Sequence, residues 1–108
     1  MKTNSYSYLK QPFWCSIFFF TPLAGTAVFS KIEPISISFG LSTHPSPRIT
    51  KGRVITLEFE TLYYVACYVP NAGDKLVRLQ EKIVWDEAME KYLRQLDEKK
   101  PVIWAGWL

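Results

Sequence analysis

At 108 residues, 48% hydrophobic, 16% aromatic and 21% charged, the chain has the balance of one folded, strand-rich domain. It is too apolar to stay disordered and too short to enclose two cores. A net charge of +3 permits contact with a phosphate backbone without requiring it. The two cysteines, Cys15 and Cys67, form no Cys-x-x-Cys pair and His44 is the single histidine, which excludes a zinc site of the usual ligand spacing. Apolar neighbours mark both cysteines as reduced, buried thiols.

In residues 1 to 24, Lys2 and Lys10 precede the apolar run Phe13-Trp14-Cys15-Ser16-Ile17-Phe18-Phe19-Phe20, with small residues following at Ala24 and Gly25. The run is shorter than the roughly 20 residues needed to cross a bilayer, and Pro22 interrupts it, so it does not read as a transmembrane helix. Its density of β-formers predicts a buried strand. A targeting segment and an aberrant gene start are the other two readings of the same stretch.

From Thr26 the pattern is one of strands. Ala27-Val28-Phe29 is short and apolar, and after Glu33-Pro34 the run Ile35-Ser36-Ile37-Ser38-Phe39 alternates with period two, as a strand with one buried face does. Gly40 to Gly52 carries Ser42, Thr43, Pro45, Ser46 and Pro47, a composition that predicts an exposed loop, with His44 solvated within it. Arg53 to Phe59 and Leu62 to Val69 are two β-rich runs joined at Glu60-Thr61, which predicts an antiparallel hairpin. Asn71-Ala72-Gly73-Asp74 after Pro70 is turn chemistry.

Leu76 to about Glu98 reads as a helix, with Trp85, Ala88, Met89, Tyr92 and Leu96 within an arc of about 100° at 3.6 residues per turn. Glu87, Glu90, Lys91, Arg94 and Glu98 occupy the other side, with Glu87–Lys91 and Glu90–Arg94 as helical ion pairs. Lys99, Lys100 and Pro101 end the helix. Val102-Ile103-Trp104-Ala105 then reads as a buried strand, so strand, helix and strand form a crossover unit.

Tyr68-Val69-Pro70-Asn71-Ala72-Gly73, followed by Leu76-Val77-Arg78-Leu79 and Trp85-Asp86-Glu87-Ala88, resembles the middle of the exonuclease III-type apurinic/apyrimidinic (AP) endonucleases. Gly25-Thr26-Ala27-Val28-Phe29-Ser30-Lys31 and Gly52-Arg53-Val54-Ile55 are similar to the same family, and the order and spacing hold from about Ala24 to Leu108. The resemblance implies an α/β fold, part of the four-layer sandwich of endonuclease/exonuclease/phosphatase type, here roughly one sheet plus one long helix. With only one sheet present, its apolar surface would face water. The implied organisation is a divergent apolar segment at 1–23 and, at 24–108, the central part of the AP endonuclease-like domain, truncated at both ends.

The activity so implied is Mg²⁺-dependent hydrolysis of the phosphodiester beside an abasic site in DNA. The tyrosine and asparagine of the turn lie in the family's active site, which gives Tyr68 and Asn71 as catalytic candidates and Arg78 as a DNA-backbone contact. A strand ending in a proline-fixed turn suits this, since it holds a phenol and an amide where they can hydrogen-bond a phosphate or its attacking water.

The family's Gly-Asp-x-Asn motif corresponds here to Ala105-Gly106-Trp107-Leu108, with Trp107 in the aspartate's place. Its early Asn and Gln-Glu motifs would precede residue 1 or lie in the unmatched start, and its late Asp and Ser-Asp-His motifs would lie past Leu108. An indole neither ligates Mg²⁺ nor accepts a proton from water, so no metal ligand is assigned, and the chain is expected neither to bind the ion nor to cut DNA alone. The implied partner is abasic duplex DNA, with no membrane and no obligate protein partner, in nucleus or cytoplasm. Two alternatives stand beside this reading: a non-catalytic DNA-binding remnant using Arg53, Lys75, Arg78 and Lys82, and a small secreted protein directed by its N-terminal segment.

Overall fold

A computed structural model describes residues 5–10, 15–20, 25–50, 52–69 and 79–107. Three strands come first: β1 (Ser5–Lys10), β2 (Cys15–Phe20) and β3 (Gly25–Ser30). They form an antiparallel sheet in the order β1-β2-β3, with Lys10 opposite Cys15 and Phe20 opposite Gly25. A second, mixed sheet has the order β4-β5-β6-β7, built from β4 (Ser36–Phe39), β5 (Val54–Glu58), β6 (Tyr63–Tyr68) and β7 (Val102–Trp107). The short helix α1 (Pro47–Thr50) lies between β4 and β5, and α2 (Leu79–Asp97) between β6 and β7.

The β5–β6 hairpin is antiparallel, and β6 and β7 run parallel around α2, as the sequence pattern predicts. The alternation of a strand explains why β5 is buried along almost its whole length. Val54 packs with Val65, Cys67, Trp85, Ala88, Met89 and Tyr92 on the α2 side. Ile55 and Leu57 point the other way and pack with Ile17 of β2, with Val28 of β3 against them. The mixed sheet is thus covered on one face by the helix and on the other by the first sheet.

This second cover departs from the single sheet expected of the sequence. The strand reading of the apolar run holds at Cys15–Phe20, and its partners are the neighbouring strands on either side, β1 and β3, which turn it into a sheet. The apolar face predicted to meet water is occupied instead: Ile17, Ile55 and Leu57 are all at most 1% exposed.

The helix turns its predicted face inward. Trp85 is completely buried, and covering an indole of that size contributes roughly 4–6 kcal/mol before the entropy of ordering it is subtracted. Thr56 of β5 and Tyr92 of α2 share a hydrogen bond of 2.6 Å through the core. Past Asp97 the chain tightens, with Lys99 and Lys100 donating to the Leu96 carbonyl. Lys100 Nζ then reaches Glu58 Oε2 at 2.6 Å and the Phe59 carbonyl at 2.8 Å, and sits 5.5 Å above the Tyr63 ring. With the Tyr63 amide donating to the Pro101 carbonyl, these contacts fix where β7 begins and hence its register on β6.

The Gly40–Gly52 segment is less open than its composition suggests. Leu41, His44 and Thr50 are buried, α1 interrupts it, and Thr43 Oγ1 donates to the Ala88 carbonyl of α2 at 2.6 Å. His44 therefore departs from the solvated reading. It lies against Trp85, its Nδ1 accepts from the Ser46 amide at 2.9 Å, and burial holds its pKa below the ordinary value. Among the described residues no helix is long and apolar enough to cross a membrane.

Candidate nucleic-acid site at the end of β6

Tyr68 is the last residue of β6 and is 37% exposed. Asn71 and Arg78, the other two site candidates, lie outside the described residues. What surrounds Tyr68 follows from the hairpin register. Val54 is opposite Cys67, so the preceding residue, Arg53, meets Tyr68. The Tyr68 amide donates to the Arg53 carbonyl at 2.8 Å, and Arg53 Nη1 donates to the Tyr68 carbonyl at 3.2 Å. The guanidinium carbon lies 5.0 Å from the centre of the Tyr68 ring, a cation–π contact.

Beside this pair an open groove of about 660 Å³ runs between the two sheets. Residues 25–29 of β3 form one wall, and Tyr64, Ala66, Tyr68, Ala105 and Gly106 line the other. Thr26 Oγ1 crosses to the Gly52 carbonyl at 2.7 Å, tying β3 to the turn that carries Arg53. The parallel ladder sets Cys67 opposite Gly106 and Tyr68 opposite Trp107. Gly106 has φ 141°, and a Cβ there would stand 1.9 Å from the Cys67 carbonyl oxygen. Only glycine lets the two strands approach so closely.

The chemistry of the site is that of hydrogen bonding and stacking. Cys67 is buried, and burial raises its thiol pKa, opposed by the 3.0 Å hydrogen bond from the Trp104 indole. It is a packing residue and not a nucleophile. Glu58 is engaged by Lys100 and by Ser36 Oγ, and these bonds lower its pKa. Lys82, counted among possible phosphate contacts, pairs with Asp86 one turn along its own helix at 2.6 Å.

Among the described residues no three His, Cys, Asp or Glu side chains gather closely enough to hold a metal. Mg²⁺ takes near-octahedral oxygen ligands and is usually held by one or two carboxylates together with waters and substrate phosphates. Among the described residues the groove offers a threonine hydroxyl, two phenols and backbone carbonyls, a donor set that does not fit the ion.

Taken by architecture, the chain is an α/β domain whose mixed sheet ends in an open groove with a tyrosine at its rim. No family model matches the chain. Comparison with curated proteins is more specific. An exodeoxyribonuclease of Bacillus subtilis is 43% identical over 83 residues, 77% of this chain and 32% of that protein. A DNA-(apurinic or apyrimidinic site) endonuclease of Dictyostelium discoideum is 43% identical over 84 residues, 76% of this chain and 23% of the relative. The DNA repair nuclease APEX1 of Danio rerio is 39% identical over 83 residues, 77% and 26%. Over the matched stretch the chain is homologous to the exonuclease III-type AP endonucleases, as its motifs imply. It spans about a third or less of the length of these relatives.

Proposed function

We propose that the chain is a central segment of an exonuclease III-type DNA repair nuclease that presents part of the DNA-facing site and does not cut DNA alone. Tyr68 and Asn71 are the groups that hydrogen-bond a phosphate or its attacking water, and Arg78 contacts the DNA backbone. Abasic duplex is the ligand, and the nucleus or cytoplasm the place of action.

One observation carries this reading: the pairing of Tyr68 with Trp107 at the ends of two parallel strands, beside an open groove. The strand ends bring the tyrosine of one motif level with the position where the resemblance expects an aspartate, and tryptophan stands there. In phosphodiester hydrolysis Mg²⁺ acts as a Lewis acid on the phosphate oxygens, and an indole does not ligate it. The phenol at the rim keeps its capacity to donate to a phosphate oxygen. Loss of one preorganised transition-state donor typically costs about 3 kcal/mol, and a site lacking its metal ligands as well loses far more.

The test is a labelled duplex with one abasic site, followed by anisotropy at low salt and by gel in Mg²⁺. Salt-dependent binding without strand scission is expected. Scission abolished by Tyr68→Phe or Asn71→Ala overturns the inactive assignment, and absence of binding at low salt overturns the DNA-facing one.

A further inference from the structure

Arg53 holds Tyr68 by its backbone and its ring at once. We propose that Arg53 is a positioning residue for Tyr68, fixing the plane of its ring and the direction of its hydroxyl, and that it does not act as a direct phosphate contact. This rests on the reading of Tyr68 as a DNA-facing residue.

Both backbone groups of Tyr68 are bonded to Arg53: the amide to its carbonyl at 2.8 Å and the carbonyl to its Nη1 at 3.2 Å. The same guanidinium lies over the ring at 5.0 Å. A planar fork held at one corner by a carbonyl cannot slide off the ring without giving up that hydrogen bond, so the two contacts restrain each other.

Tyrosine at a strand end has two free torsions, and a lid over one face of the ring removes much of that freedom. Tyr68 remains part of the groove wall. The support continues to the opposite wall, because Thr26 of β3 holds the Gly52 carbonyl directly before Arg53. Thr26, Gly52, Arg53 and Tyr68 therefore form one continuous link across the groove. A lysine at position 53 would keep a positive charge but lose the fork that couples carbonyl and ring.

The consequence is that Arg53 matters to DNA only through Tyr68. A double-mutant cycle on the full chain reads this directly, with the labelled abasic duplex as ligand and the tyrosine ring ¹H–¹³C spectrum as an independent report on geometry. Tyr68→Phe identifies the Tyr68 signals. Arg53→Met is expected to move those signals in the free protein and to weaken duplex binding by about fivefold. It should cost nothing further in a Tyr68→Ala background. Arg53→Lys should keep the salt dependence of binding without restoring the ring signals.

Unmoved ring signals overturn the proposal. So does an equal loss in both backgrounds with a salt slope reduced by about one, the mark of a direct phosphate contact. If the wild-type chain binds no duplex, the DNA-facing function fails, and the ring spectrum alone decides whether Arg53 positions Tyr68. Should Arg53→Met not fold, the Arg53→Lys spectrum takes its place.

Discussion

The Thr56–Tyr92 hydrogen bond links α2 to the middle of the mixed sheet, and the effect of removing it follows from its burial. Thr56 is 4% exposed, Tyr92 8%, and their oxygens are 2.6 Å apart. Tyr92→Phe deletes the phenol oxygen and leaves the threonine hydroxyl buried without a partner, which costs about 1–2 kcal/mol. For a domain of this size that corresponds to a fall in Tm on the order of 5–10 °C. Thr56→Val reverses the roles and is expected to cost about 1 kcal/mol.

With both changes made, no polar atom is stranded and the methyl of valine fills the space of the hydroxyl. The double variant should therefore be less destabilised than the two single losses added together, by about 1 kcal/mol of coupling. Urea denaturation followed by far-UV circular dichroism, with the m-value held constant across the four proteins, measures each corner of the cycle. Strict additivity would contradict this, because it would mean that neither oxygen depends on the other in the folded chain.

Two further perturbations test how the strands are held. Gly106→Ala places a methyl 1.9 Å from the Cys67 carbonyl at a φ that L-residues avoid, so the β6–β7 ladder should open; loss of slow amide exchange at Val65 and Cys67 would report it, and unchanged protection would contradict it. Glu58 has its pKa lowered by the Lys100 and Ser36 hydrogen bonds, so its contribution is present above the ordinary carboxylate range and fades as the pH falls through the depressed value. Lys100→Met should flatten the acid limb of the stability curve below about pH 4, and a limb of wild-type steepness would show that the ion pair has no part in it.

Local patterning made much of the second half readable. The apolar arc Trp85, Ala88, Met89, Tyr92 is the face that α2 buries, and the two β-rich runs around Glu60–Thr61 do form a hairpin. The Arg53–Tyr68 contact was also within reach, since a hairpin symmetric about Glu60–Thr61 sets those two residues opposite each other. Its side-chain half, the guanidinium over the ring, is set by tertiary geometry and not by the strand pattern.

Other features were beyond local reasoning. Strand β1 carries only a short alternation, Ser5-Tyr6-Ser7-Tyr8, and its place in the sheet comes from pairing with β2. His44 sits in a segment whose prolines signal exposure, yet Leu41, Thr43 and Trp85 draw that segment against α2. The family resemblance rests on Tyr68-Val69-Pro70-Asn71-Ala72-Gly73 and its flanking motifs, which no fold-level argument supplies. Of the site candidates, Tyr68 stands at the groove, while Asn71 and Arg78 keep their assignment from the resemblance alone.

Among the described residues the groove is lined by no carboxylate, and Trp107 stands where the resemblance expects an aspartate. Isothermal titration of Mg²⁺ into the full chain tests this without reference to DNA or turnover. Heats indistinguishable from dilution at millimolar ion are the predicted result. Saturable uptake of one Mg²⁺ per chain, abolished by EDTA and weakened by Tyr68→Phe, would contradict it.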